Sequence, residues 1–250
     1  MSAVAERYRK VLREIADAAD VAGRDPADIR LVAVTKTVGI TEVAQAIAAG
    51  MHEFGENRAQ EFVGKHALFP DEIWHFIGTL QSNKVKQVVG KAALIHSIDS
   101  LGLLVEVDRR AREAEVVQPV LLEVNVSGER TKHGMTYDEA EDAVRRACAL
   151  PGVSVRGLMT MAPLGRPEST RRVFRECSHW MGRLQSLHCD AVDLTELSMG
   201  MSNDFPVAIE EGATIVRVGR ALFGRWLAPE RASFGDVKEI ARWVSCTASR

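Results

Sequence analysis

Apolar residues along this chain gather into short runs at regular intervals, and between the runs they recur every three or four positions. The runs span Leu31 to Thr35, His52 to Gly55, Ile73 to Ile77, Leu94 to Ile98, Val120 to Val124, Val155 to Thr160, Thr195 to Met199 and Thr214 to Val218. Each has the length of a strand. The stretches between them predict helices over Thr41 to Ala49, Ser82 to Val89, Leu101 to Glu115, Tyr137 to Leu150, Glu168 to Leu187 and Pro206 to Glu211. Gly50, Gly90, Pro151 and Gly212 stand just past helix ends, where a left-handed cap or a stop is needed. A further helix, with Val4, Val11, Leu12 and Ile15 on one face, precedes the first strand and stops near Gly23.

About eight strands alternating with about eight helices favour parallel pairing, because parallel strands need crossover connections. The predicted fold is α/β: a single-domain (β/α)8 TIM barrel with an extra N-terminal helix. Its core runs from about 8 to 224, and 225–250 reads as a closing helix with a ragged tail, its last five residues mobile. An open, doubly wound sheet satisfies the same alternation. The 250 residues match one barrel, and no linker or composition break divides them.

The chain is 46% hydrophobic and 26% charged, enough for a large core under a soluble surface. A net charge of −2 gives no reason to expect nucleic acid or membrane as a main partner. No apolar run is long enough to span a bilayer, and the N-terminus does not read as a signal peptide. Cys148, Cys177, Cys189 and Cys246 lack C-x-x-C spacing and read as reduced packing thiols of a cytoplasmic protein. Neither His-x-His nor His-Glu-x-x-His occurs, so no metal site is expected.

In a parallel barrel, functional groups collect at the C-terminal strand ends. Those ends carry Lys36, Glu56, Asn57, Gly78, Ser97, Asp99, Asn125, Met161, Ser198 to Ser202 and Arg217 to Arg220. An inward-facing Lys36 would be partly desolvated and nucleophilic, the chemistry of a Schiff-base lysine. A lysine snorkelling to the rim fits the position equally well. The loops after strands seven and eight are the usual phosphate site of this fold, and Ser198, Ser202 and Gly219 lie there. A tight turn with Ser202 or Asn203 capping a helix is compatible with the same residues. Arg217 shares a strand face with Gly219 and needs an acceptor, either a pyridine nitrogen or a structural carboxylate. Asp193 and Glu196 read as strand-edge charges. Lys65, Lys84, Lys86 and Lys132 read as surface amines.

The chain resembles the YggS/PROSC family of pyridoxal phosphate homeostasis proteins. The resemblance runs from about Tyr8 to Gly224 and rests on AVTK (33–36), FGENRAQE (54–61), WHFIGTLQSNK (74–84), HSIDS (96–100), EVN (123–125), KHGM (132–135), GLMTMAP (157–163) and LSMGMSNDFPVAIEEGATIVRVGRALFG (197–224). It departs at the lysine motif, where many members read Ser-Lys and continue to a proline; here Thr35 precedes Lys36, and Val38 and Gly39 follow.

The resemblance implies a barrel similar to the N-terminal domain of alanine racemase that binds pyridoxal 5′-phosphate (PLP). Lys36 would form the aldimine and Asn57 would sit near the ring. Ser198 and Ser202, with the backbone at Gly219 and Arg220, would hold the phosphate. Arg217 would face the pyridine nitrogen, and Met199 and Met201 would line the pocket. The implied role is to buffer PLP in the cell and deliver it to PLP-dependent apo-enzymes as a monomer, without efficient catalysis. Lys84 and Lys132 fall inside the motifs and are the first amines to test for PLP transfer. Two other functions fit the residues. One is an amino-acid racemase using His75 or His133 as second base. The other is an aldolase-type barrel in which Lys36 attacks a phosphorylated sugar.

Overall fold

The computed structural model describes residues 2–128, 133–163, 167–187, 189 and 191–224. Eight parallel strands close into a barrel in sequence order, each hydrogen-bonded to the next and the last to the first. They are β1 (Arg30–Val34), β2 (Glu53–Glu56), β3 (Ile73–Phe76), β4 (Leu94–Ile98), β5 (Gln118–Glu123), β6 (Val153–Met159), β7 (Val192–Ser198) and β8 (Ile215–Val218). The helices around them are α1 (Ala3–Val21), α2 (Ile40–Ala48), α3 (Ala59–Leu68), α4 (Val85–Val88), α5 (Leu101–Glu113), α6 (Tyr137–Ala147), α7 (Pro167–Leu184), α8 (Phe205–Glu210) and α9 (Arg220–Phe223). The closed order rules out the open sheet. The stretch 225–250, expected to form a closing helix and tail, lies outside the described residues, as do Lys132 and Cys246.

α1 is the extra N-terminal helix. Ser2 caps it, accepting from the Ala5 N–H at 3.2 Å. Its buried face (Val4, Val11, Ile15, Ala18, Ala19) packs across α8, α9 and α2, over the seam between the first and last strands. Arg24 locks the following turn by donating to the carbonyls of Ile209, in the last turn of α8, and Ala213, just past it, at 3.0 and 2.7 Å. α6 opens with a reciprocal capping box between Thr136 and Glu139, a pattern visible in the sequence.

Three differences from the sequence reading have physical causes. The expected helix over Ser82 to Val89 begins as a 3-10 turn (Ser82–Lys84) before α4. α3 is faint in the sequence because a lysine interrupts its apolar stripe of Ala59 and Phe62: Lys65 stands at the inner face and is buried. The third is a correction: Cys148 and Cys189 form a disulfide, with Cα atoms 5.8 Å apart. Cys148 follows α6 and Cys189 precedes β7, and their separation of 41 residues in sequence conceals that proximity. Cys177 is a buried free thiol whose pKa burial pushes up to about 12.

Most of the core lies between the sheet and the helices. Inside the barrel the apolar filling is smaller: Val32, Leu94, Leu121, Met159 and Ile215. Polar side chains share that interior.

Candidate functional site at the barrel mouth

β1 and β8 pair through Arg30–Ile215, Leu31–Val216, Val32–Arg217 and Ala33–Val218. A Cβ at Gly219 would lie 3.2 Å from the Val34 carbonyl oxygen, so the turns after these two strands meet at one edge of the mouth.

Lys36 lies in the turn after β1 and is exposed. Of the two positions left open by the sequence, inward-facing or at the rim, the structure has the lysine at the rim. β1 ends at Val34, and the backbone leaves strand geometry before the lysine. Thr37 has φ 61, a conformation rare for a β-branched residue. Its N–H donates to Glu61 Oε2 at 3.1 Å.

A buried network supports this turn. Lys65 Nζ donates to the Thr35 carbonyl at 2.7 Å and to Glu56 Oε1 at 2.5 Å, and Thr35 Oγ1 donates to the same carboxylate oxygen at 2.7 Å. Burial pushes the Glu56 pKa up, against the opposing pull of Lys65 and Thr35. Lys65 is therefore not a surface amine.

Across the seam, Ser202 Oγ accepts from the Gly219 and Ala221 N–H groups, at 3.3 and 3.2 Å. Gly200, at φ 91, shapes the approach: a Cβ there would come within 2.6 Å of Ala208 Cβ. Met201 is half-buried and Arg220 exposed. Asn57 is half-buried beyond β2, and Gly78 lies so close that a Cβ would stand 2.2 Å from the Asn57 carbonyl oxygen. Met199 is a correction. Strand alternation turns it outward, and it packs in the core between sheet and helices rather than at the mouth.

Arg217 is buried inside the barrel, where it donates to Ser198 Oγ at 2.6 Å and to the Thr160 carbonyl at 3.0 Å. Desolvation lowers its pKa to about 10, against the pull of Glu123 and Asp204, so it remains a cation at neutral pH. Ser198 is fully buried and does not stand beside Ser202. Its hydroxyl is also 2.9 Å from His96 Nδ1. His96 Nε2 is in turn 2.9 Å from His75 Nδ1. Both histidines fall within the apolar runs of the sequence, which do not by themselves say which face each one takes. The alternation of Leu94 with His96 on β4, and of His75 with Ile77 on β3, is the signal that could have placed them inside.

The remaining candidates lie elsewhere. Asp193 pairs with Arg156 at 2.7 Å and Glu196 with Arg30 at 2.9 Å, so both are structural charges. Tyr8 bonds the Gly50 carbonyl, and Tyr137 packs against Trp180 and Arg183. His133 is exposed in a loop. Among the described residues no cluster of His, Cys, Asp and Glu suits a metal ion, and no helix is long and apolar enough to cross a membrane.

Fold and mouth together define a (β/α)8 barrel with a lysine and a hydroxyl–amide cluster at one edge of its C-terminal face. The family model for the alanine racemase N-terminal domain matches residues 10–225. A pyridoxal phosphate homeostasis protein of Aquifex aeolicus is 45% identical over 222 residues, covering 88% of this chain and 96% of the relative. One from Pseudomonas aeruginosa is 41% identical over 228 residues, covering 90% and 96%. Among solved structures, PipY of Synechococcus elongatus with PLP bound matches at TM-score 0.77 and 36% identity, covering 88% of this chain and all of that one. Alanine racemase of Streptomyces coelicolor matches at TM-score 0.67 and 20% identity, covering 90% of this chain and 60% of its own length, a likeness of fold. The chain belongs to the pyridoxal phosphate homeostasis protein family, within the alanine racemase N-terminal domain fold.

Proposed function

We propose that this protein binds PLP through Lys36 and serves PLP homeostasis as a carrier rather than an efficient enzyme. The observation that carries the reading is the meeting of an exposed lysine amine with N–H groups converging on Ser202, at the seam of β1 and β8. Those donors fit a phosphate, and the amine fits an aldehyde. The names of the relatives and the PLP-bound PipY support the same ligand.

In this reading Lys36 is the amine that takes the aldehyde. Ser202, with the backbone at Gly219 and Arg220, holds the phosphate, and Asn57 and Met201 flank the ring. Arg217 faces the pyridine nitrogen, and Ser198 acts through Arg217. When bound, PLP supplies a reactive aldehyde and a ring that can withdraw electrons from an attached amine. A guanidinium donates only and keeps its proton, so Arg217 leaves a facing ring nitrogen unprotonated and a weaker electron sink. Among the described residues, neither His75 nor a tyrosine offers a second base at the mouth, and His133 is exposed in a loop. His75 is buried against His96, and both tyrosines are engaged away from the mouth. These features disfavour the racemase, and delivery to apo-enzymes is the corresponding role in the cell.

Absorption spectra with added PLP, for the parent and Lys36→Ala, test this. A PLP-dependent band in the parent that is lost in the variant is expected; no band in either sinks the reading. Chiral analysis of alanine and serine incubations completes the test. Turnover of roughly 1 s⁻¹ or faster would mean an ordinary enzyme.

A further inference from the structure

A chain of polar side chains crosses the barrel interior from its underside to Arg217. Glu53 opens β2 at the N-terminal end and is partly exposed. Its Oε2 lies 3.3 Å from His75 Nε2, an ion-pair distance, and neither buried atom has a hydrogen-bond partner among the described residues, so each is available to the other. His75 Nδ1 meets His96 Nε2, His96 Nδ1 meets Ser198 Oγ, and Ser198 Oγ accepts from Arg217. An anion thus stands at one end and a cation at the other.

The donors and acceptors can be counted. A neutral imidazole has one N–H and one lone pair, and a serine hydroxyl has one hydrogen. Burial first, then His75, Arg217 and Arg30, hold the His96 pKa well below the usual histidine range, so His96 is neutral. Burial alone would raise the Glu53 pKa, but its neighbours His75 and Arg30 lower it, so Glu53 is ionised. With His75 neutral as well, one arrangement satisfies every link. Ser198 donates to His96 Nδ1, His96 Nε2–H donates to His75 Nδ1, and His75 Nε2–H donates to Glu53. The reverse arrangement aims a histidine lone pair at the Glu53 carboxylate.

We propose that Glu53, His75, His96 and Ser198 are positioning residues: a hydrogen-bond relay of fixed direction that leaves Ser198 Oγ with lone pairs for Arg217 and so orients the guanidinium. No titratable side chain of β6 enters the relay. The other charges around it are Arg30 on β1, Glu196 on β7 and Glu123 on β5, with Asp99 and Asp204 beyond. The relay itself needs no ligand; only its effect on PLP rests on the function proposed above.

The first test is the tautomer of each histidine in the full chain without PLP, read by long-range ¹H–¹⁵N correlation on ¹⁵N-histidine-labelled protein. Expected is Nε2–H on both His75 and His96. An Nδ1–H tautomer on either overturns the relay. The second test is Glu53→Leu, whose folding is checked by its thermal melt. This variant removes the anion while leaving the mouth intact. His75 and His96 should lose their single tautomer pattern, and the Kd for PLP should rise at least threefold. Unchanged tautomers, or an unchanged Kd beside altered tautomers, overturn the positioning role. A parent that binds no PLP defeats the proposed function instead and leaves the tautomer result standing.

Discussion

Lys65 Nζ lies 2.7 Å from the carbonyl oxygen of Thr35, the residue before Lys36. A buried ammonium on α3 therefore holds the backbone that carries the exposed amine. The same Nζ neutralises Glu56, which is fully buried. Breaking a buried pair by removing one partner costs several kcal/mol, because the other charge is left unpaired. Lys65→Met should destabilise the protein by about 3 kcal/mol or more in urea unfolding. Adding Glu56→Gln should recover most of that loss. A loss of about 1 kcal/mol or less would mean that the pair is solvated in solution.

Thr37 sits at φ 61, where a side chain costs roughly 1–2 kcal/mol and glycine costs little. Thr37→Gly should raise stability by about 1 kcal/mol or less, since glycine also loses more freedom on folding. The PLP affinity should fall, because the turn presenting Lys36 becomes less restricted. Paired urea and PLP titrations check both signs.

The Cys148–Cys189 bridge closes a loop of 41 residues, and loop entropy of that size is worth about 3–4 kcal/mol. Cys148→Ser should lose about 2–4 kcal/mol in oxidising buffer. Adding a reductant should lower the parent's melting temperature and leave the variant's unchanged. Equal sensitivity of both would place the effect elsewhere in the chain.

Hydrogen bonds from Arg175 and then Arg171 hold the Glu211 pKa below its usual 4.5, outweighing desolvation, and tie α7 to the end of α8. A depressed carboxylate contributes stability above its unfolded pKa and loses it as pH falls through the folded value. The arginines are solvent-accessible, so the contribution is at most about 1 kcal/mol. Glu211→Gln should be less stable than the parent at neutral pH, and the gap should close on acidification. A gap independent of pH would contradict the linkage.

The strands were legible because parallel strands buried on both faces read as short apolar runs. The edge of the mouth was legible too, since Lys36 and Gly219 each follow such a run and the first and last runs of a closed barrel are neighbours. Three things were hidden. Lys65 masked α3 by occupying an apolar position, because its partner Glu56 belongs to another element. The spacing of Cys148 and Cys189 says nothing about distance through space. Ser198 reads like Ser202 along the chain, yet alternation sends its hydroxyl inward to His96 and Arg217.

The seam between β1 and β8 also has a temporal meaning. The lysine is translated early and the Ser202–Gly219 cluster late, so a nascent chain carries half a site until its last strand leaves the ribosome. A ligand held by both halves stabilises only the finished barrel, and its free energy of binding accrues to the complete molecule and to no truncated one.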